Sequence, residues 1–177
     1  MKNCKICGSA LDLSQCQVFS SKCFLNHVPL KRYKCPTCGV IFGTIEMING
    51  TVDTIKKAYL FCDTVYKEEN SVVNETRTFM SLAPKKEGLY LNFGCGNTST
   101  TVADLRKQNW NILGYEPFLP NPLPNIIKDK SLLCNYKFDG IMSNNLLEHL
   151  QDPVVDLVFL KGLLKDKGSL MAHSTPC

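Results

Sequence analysis

One stretch, residues 89–116 (LYLNFGCGNTSTTVADLRKQNWNILGYE), limits the fold more than any other. An apolar run over residues 89–93, a tight turn at Gly94-Cys95-Gly96 and then a period of 3.6 form the sequence pattern of a βαβ unit. Glycines at 94 and 96 let the backbone turn sharply and approach a ligand with no side chain in the way. Thr98 or Ser99 can cap the helix that follows, on which Val102 and Leu105 share a face. The next strand, residues 112–115, ends at Glu116, about twenty residues after the turn, where a carboxylate can accept hydrogen bonds from both hydroxyls of a ribose. The unit reads as nucleoside-binding. A dinucleotide fingerprint would place a third small residue where the helix packs on the strand, and this chain has Asn97, Thr98 and Ser99 there. That departure disfavours a nicotinamide or flavin dinucleotide.

The chain of 177 residues has room for one full domain and a small appendage. A hydrophobic content of 44% with 20% charged residues is ordinary for a soluble globular protein. The net charge of +4 is mild and the lysines are scattered, so charge gives no case for a nucleic-acid partner. No apolar run reaches the length of a membrane span, and the first residues lead into polar sequence rather than a signal peptide. The expectation is a cytoplasmic protein whose ten cysteines are reduced thiols or metal ligands, not disulfides.

Two cysteine knuckles mark the N-terminal quarter, Cys4-Lys5-Ile6-Cys7-Gly8 and Cys35-Pro36-Thr37-Cys38-Gly39. Two residues between thiolates, then glycine, allow both sulfurs of a turn to face one ion, and two such turns complete a tetrahedral Zn²⁺ site. The long spacer implies an inserted hairpin, with strands around Val18-Phe19 and Tyr33. Cys16, Cys23 and His27 match no second knuckle and read better as buried or free side chains. A segment this small buries little core, so metal binding supplies its folding energy. A closed four-sulfur site is scaffolding.

Residues 1–50 thus form a zinc-ribbon-like subdomain, and residues 51–87 a helical connector. In the connector one helix covers residues 51–66, and a second covers residues 71–82 with Val72, Thr76, Phe79 and Met80 along one side. Its aromatics fit a core, with Tyr59 or Tyr66 as candidates for a lid over a ligand. Residues 88–177 form the α/β domain. After Glu116, four prolines within residues 117–124 exclude a regular helix from the second crossover. A short third strand covers residues 125–127, followed by Asp129, which either contacts adenine or is a solvated loop acid. The fourth strand, residues 138–143, places Asn144 and Asn145 at its carboxyl end, where ligands collect in open α/β sheets. Asp152-Pro153 starts a helix carrying Leu157, Leu160, Leu163 and Leu164, residues 165–168 stop it, and residues 169–174 form the fifth strand.

In this order the pieces resemble the class I S-adenosylmethionine-dependent methyltransferases, through FGCGN at 93–97, GYEP at 114–117, FDGIMSNNLLEHLQDP at 138–153 and LLKDKGSL at 163–170. The resemblance implies a Rossmann-like, mostly parallel sheet of about five strands in the order 3-2-1-4-5. It places Gly94, Cys95 and Gly96 under the cofactor, Glu116 on its ribose hydroxyls, and Pro117 and Phe118 beside adenine. Asn144 and Asn145 would border the methyl-transfer site, with His149 as the candidate base or acceptor-orienting residue. The knuckles ahead of such a domain resemble the sugar-modifying subgroup, which includes C-methyltransferases of nucleotide-linked keto sugars. That narrower match implies a small-molecule acceptor. Two departures stand out. Asn92 occupies a place where the family carries an acid near the cofactor's amino group, and the chain ends just after strand five, where the family continues. An exposed sheet edge would then call for a dimer mate or another partner.

Overall fold

The computed structural model describes residues 2–22, 29–43, 71–96, 100–121 and 123–173. The helix expected over residues 51–66, the lid candidates Tyr59 and Tyr66, the cap candidates Thr98 and Ser99, and Cys23 and His27 lie outside the described residues. The chain divides into two compact units, one of Met1–Asp63 with Gln151–Val154 and one of Thr64–Leu150 with Val155–Cys177.

In the N-terminal unit, β1 (Lys2–Asn3) and β2 (Ala10–Leu11) pair antiparallel on either side of the first knuckle. β3 (Gln17–Lys22), β4 (Pro29–Lys34) and β5 (Ile41–Phe42) form an antiparallel three-stranded sheet. Both knuckles close through a glycine in the left-handed region: Gly8 at φ 73° and Gly39 at φ 75°. Their amides donate to the carbonyls of Cys4 and Cys35, each at 2.9 Å. The buried core is Cys4, Leu11, Cys16 and Cys35, with Leu13, Tyr33, Val40 and Phe42 packed against it. β3 is exposed along its whole length.

The second unit begins, within the described residues, with α1 (Ser71–Ser81). There follow β6 (Tyr90–Phe93), α2 (Thr101–Lys107), β7 (Ile112–Tyr115) and β8 (Ile126–Ile127). A 3-10 segment (Lys130–Asn135), β9 (Phe138–Asn144), α3 (Pro153–Leu163) and β10 (Leu164–His173) complete it. The sheet order is β10-β9-β6-β7-β8 and every pairing is parallel. Counted from β6, that is the expected 3-2-1-4-5 order of a Rossmann-like sheet.

Strand alternation divides the core into two layers. On one face Tyr90, Ile112 and Met142 pack with Phe79 of α1 and with Val102 and Leu105 of α2. Phe79 is fully buried and stands edge-on to Tyr90 and to Trp110, each at 5.2 Å between ring centres. On the other face Leu91, Phe93, Tyr115 and Ile141 meet Leu133, Leu160 and Leu163. No described residues between β7 and β8 are helical, as the prolines require. Asp129, expected either at adenine or as a solvated loop acid, is exposed and caps the 3-10 segment, accepting from Ser131 N at 2.9 Å and Ser131 Oγ at 2.7 Å.

The structure corrects three local expectations. The α2 cap is Thr100, whose hydroxyl bonds Asp104 Oδ2 at 2.7 Å rather than a backbone amide. Leu164 belongs to β10, not to the preceding helix. The intervening residues 165–168 are an irregularity in the strand, where the register shifts between Leu164 and Ser169. Met80 is 52% exposed, whereas Glu75 and Thr78 are buried beside Phe79. The inward face of α1 is therefore part polar, and an apolar periodicity read without tertiary contacts assigns that face to the wrong side chains.

Candidate functional site

Three features of residues 89–116 converge at the carboxyl ends of β6 and β7. Gly94 and Gly96 adopt φ 78° and 73°. A Cβ on Gly94 would stand 2.5 Å from Leu146 Cδ2, so a side chain at 94 would be strained at this φ and would have to displace Leu146. The loop turns inward: Gly94 N and Cys95 N both donate to the carbonyl of Tyr115, at 2.9 and 3.1 Å. Gly96 N donates to Glu116 Oε2 at 3.1 Å, and Phe118 N to Glu116 Oε1 at 3.0 Å. Glu116, 4% exposed, thereby links the glycine loop to the turn after β7. The two amides fix where its oxygens stand.

This geometry bears on two ligand classes. A pyrophosphate is normally held by free loop amides, and the three described here are directed at Tyr115 and Glu116. A neutral diol recognised by a fixed carboxylate suits the arrangement better. The residues present fit an adenosine-type cofactor: a loop without side chains, a buried acid at the end of the second strand, and half-buried Phe118 beside it. Pro117 is exposed.

Cys95 points into the core between β6 and α2. Burial, then the charges of Glu116 and Glu75, pushes its thiol up to about 12, so it stays protonated at neutral pH and serves as packing rather than as a nucleophile. Room for it comes from Gly114, where a Cβ would lie 2.8 Å from Cys95 Sγ and 3.1 Å from Val102 Cγ2. The small residue that lets helix and strand approach is on the neighbouring strand, not in the loop where the fingerprint places it.

On the β9 side, Asn144 ends the strand, and Asn145 follows at φ 47°, its amide donating to His173 O at 2.7 Å. His149 closes a one-turn 3-10 segment (Leu147–His149), half-buried, its amide bonded to Leu146 O at 2.8 Å. Glu75 is the residue that sequence reasoning missed. It is 7% exposed and accepts a hydrogen bond from Asn92 Nδ2 at 2.6 Å. With its amide turned to pair, the Asn144 side chain lies 3.1 Å from Thr78 Oγ1 and 3.3 Å from Glu75 N. The only sequence signal for Glu75 is its place four residues before Phe79 on one helical face.

The knuckles form the second site. The sulfur-ligand atoms of Cys4, Cys7, Cys35 and Cys38 all lie within 4.8 Å of one another. Cys4–Cys38 and Cys7–Cys35 Sγ separations are both 3.8 Å, close to the edge of a tetrahedron with metal–sulfur bonds of ~2.3 Å. These four side chains can hold one metal ion. Cys16, buried nearby, is directed at Asp12 O at 3.4 Å, and burial raises its pKa.

The family model described as a methyltransferase domain matches residues 66–177, well over half of the chain. The chain belongs to that family. Among solved structures it is similar to the plantazolicin methyltransferase BpumL in complex with SAH, at 17% identity and a TM-score of 0.43. The similarity covers 68% of this chain and 52% of that one, so the chain spans about half the length of that protein. Among curated proteins, none matches the chain by sequence.

Proposed function

We propose that the chain is the S-adenosylmethionine-binding part of a methyltransferase acting on a small acceptor, with a nucleotide-linked sugar as the finer reading. The observation that carries the proposal is the Glu116 carboxylate, buried and held by two backbone amides against a glycine loop whose amides at 94, 95 and 96 are already bonded within the chain. Bound there, the cofactor supplies an electrophilic methyl carbon on a sulfonium. Gly94, Cys95, Gly96, Glu116, Pro117 and Phe118 would hold it, with the Glu116 carboxylate available to the ribose hydroxyls. Asn144 and Asn145 border the transfer site. Because the methyl is already activated, the work of the chain is positioning, and proximity of this kind is worth about 7–11 kcal/mol. His149 takes the acceptor's proton or orients the acceptor.

The organisation we propose is a zinc-binding ribbon over residues 1–50, a helical connector over 51–87 and the cofactor domain over 88–177. The zinc is structural, held by Cys4, Cys7, Cys35 and Cys38, with no ligand position left for catalysis.

Calorimetric titration with S-adenosylmethionine and its demethylated product, S-adenosylhomocysteine, tests the cofactor. Saturable binding of both, with none of NAD, is expected. A response to NAD alone would reverse the reading. A methyl-transfer screen over nucleotide-linked sugars tests the acceptor, and binding without transfer to any of them would favour a non-catalytic binding protein.

A further inference from the structure

We infer that the outward face of the β3–β4–β5 sheet binds single-stranded nucleic acid through Phe19, Arg32 and Lys34. The inference stands apart from the cofactor reading above. The mild net charge of the chain is unevenly divided. Residues 2–22 and 29–43 carry six basic side chains against one acid, Asp12, a net of +5 where the whole chain has +4. Four of the six lie on β3 and β4: Lys22, Lys31, Arg32 and Lys34. Among the described residues no carboxylate pairs with any of these four, and the described ion pairs, at Lys107, Lys130 and Lys165, all lie in the second unit.

Strand alternation sorts the side chains of this sheet between its faces. Tyr33 and Phe42 are cross-strand partners that stack at 6.0 Å between ring centres and pack on the cysteine core. Arg32 and Lys34, on either side of Tyr33, therefore stand on the opposite face. Arg32 is directly across from Phe19, and Lys34 lies between Gln17 and Ile41. Phe19 is 38% exposed, and Arg32 Nη1 donates to Ser21 Oγ at 2.8 Å, which holds the guanidinium along the sheet. A depression of about 300 Å³ beside Lys34 is lined by Gln15, Gln17 and Gly39. Glutamine amides both donate and accept, as a base edge requires. An exposed ring beside two cations with no internal counter-charge is a surface on which bases stack and a phosphate backbone is followed. A run of acidic residues would meet the cations but bring no ring face to Phe19. A membrane surface would need a wider apolar face than Phe19 and Ile41 supply.

Fluorescence anisotropy of the full chain with a labelled oligouridylate of ~12 nucleotides tests the inference. Two phosphate contacts, one at Arg32 and one at Lys34, should make wild-type binding ~7-fold weaker at ~200 mM salt than at ~50 mM. Phe19→Ala should weaken binding ~5-fold or more at fixed salt, as for loss of one base stack, and leave the salt dependence in place. Arg32→Gln with Lys34→Gln should remove most of the salt dependence. Lys161→Gln with Lys167→Gln takes the same charge from exposed positions of the second unit and should leave affinity within about twofold. Equal losses in the two double variants, or an unaffected Phe19→Ala, would overturn the assignment to this face. Uridine diphosphate or polyglutamate binding as tightly as the oligomer would overturn the choice of a nucleic-acid strand. The wild-type measurement does not depend on any variant folding, and no binding of the oligomer at ~50 mM salt would overturn the inference outright.

Discussion

The two units of the chain are held together by different chemistry. Among the described residues of the N-terminal unit, three of the four that form the buried core are cysteines, and β3 buries nothing. In the second unit two layers of aromatic and aliphatic side chains cover both faces of a five-stranded sheet. A unit this small excludes little apolar surface from water, and a metal held by the four thiolates would supply the folding energy that its core does not. The difference shows why the first unit depends on its four thiolates, while the second has room for a functional site at the edge of its core.

Metal removal should separate the units most sharply. A strong chelator, or Cys4→Ser with Cys35→Ser, is expected to abolish hydrogen-exchange protection in β1 to β5 and leave β6, β7 and β9 protected. Simultaneous loss of protection in both units would break the comparison. Elemental analysis of the untreated chain should give about one zinc, from the four-thiolate geometry.

Phe79→Ala is the converse perturbation. Deleting a fully buried ring that contacts two other aromatics should cost about 3–5 kcal/mol, read as a lower denaturant midpoint for the second unit with zinc content unchanged. A smaller effect follows from Gly94→Ala. Its left-handed φ costs roughly 1–2 kcal/mol for an L side chain, and the new methyl must displace Leu146. Cofactor affinity should fall together with stability, and unchanged affinity would show that the loop does not shape the cleft.

The smallest effect concerns Asp139, whose carboxylate accepts from Lys165 Nζ at 2.7 Å and Leu89 N at 2.8 Å. Those partners, Lys165 first, hold its pKa below the ordinary aspartate value. A depressed folded-state pKa contributes stability above the unfolded-state value, and that contribution disappears as pH falls through the folded one. Both side chains are more than a third exposed, so Asp139→Asn should cost only about 0.5–1 kcal/mol at neutral pH. The gap should close on acidification, and a gap independent of pH would assign the effect to packing.

What the sequence determined by itself is what local periodicity and spacing encode. The apolar run before Gly94, the βαβ rhythm to Glu116, the helix-free crossover imposed by the prolines and the two knuckles all follow from residues close together in the chain. Their conformational demands do not depend on what packs against them. Tertiary structure decided the rest. It turned the loop amides toward Tyr115 and Glu116, made Gly114 the space for Cys95, and drew Leu164 out of its helix into the edge strand. It also brought Glu75 to Asn92, seventeen positions away. No periodicity fixes that last contact, because the rotation of a helix against a sheet is set by the packing of every side chain between them. A glutamate on that part-polar face therefore finds its partner only when Phe79 and Tyr90 have packed beside it.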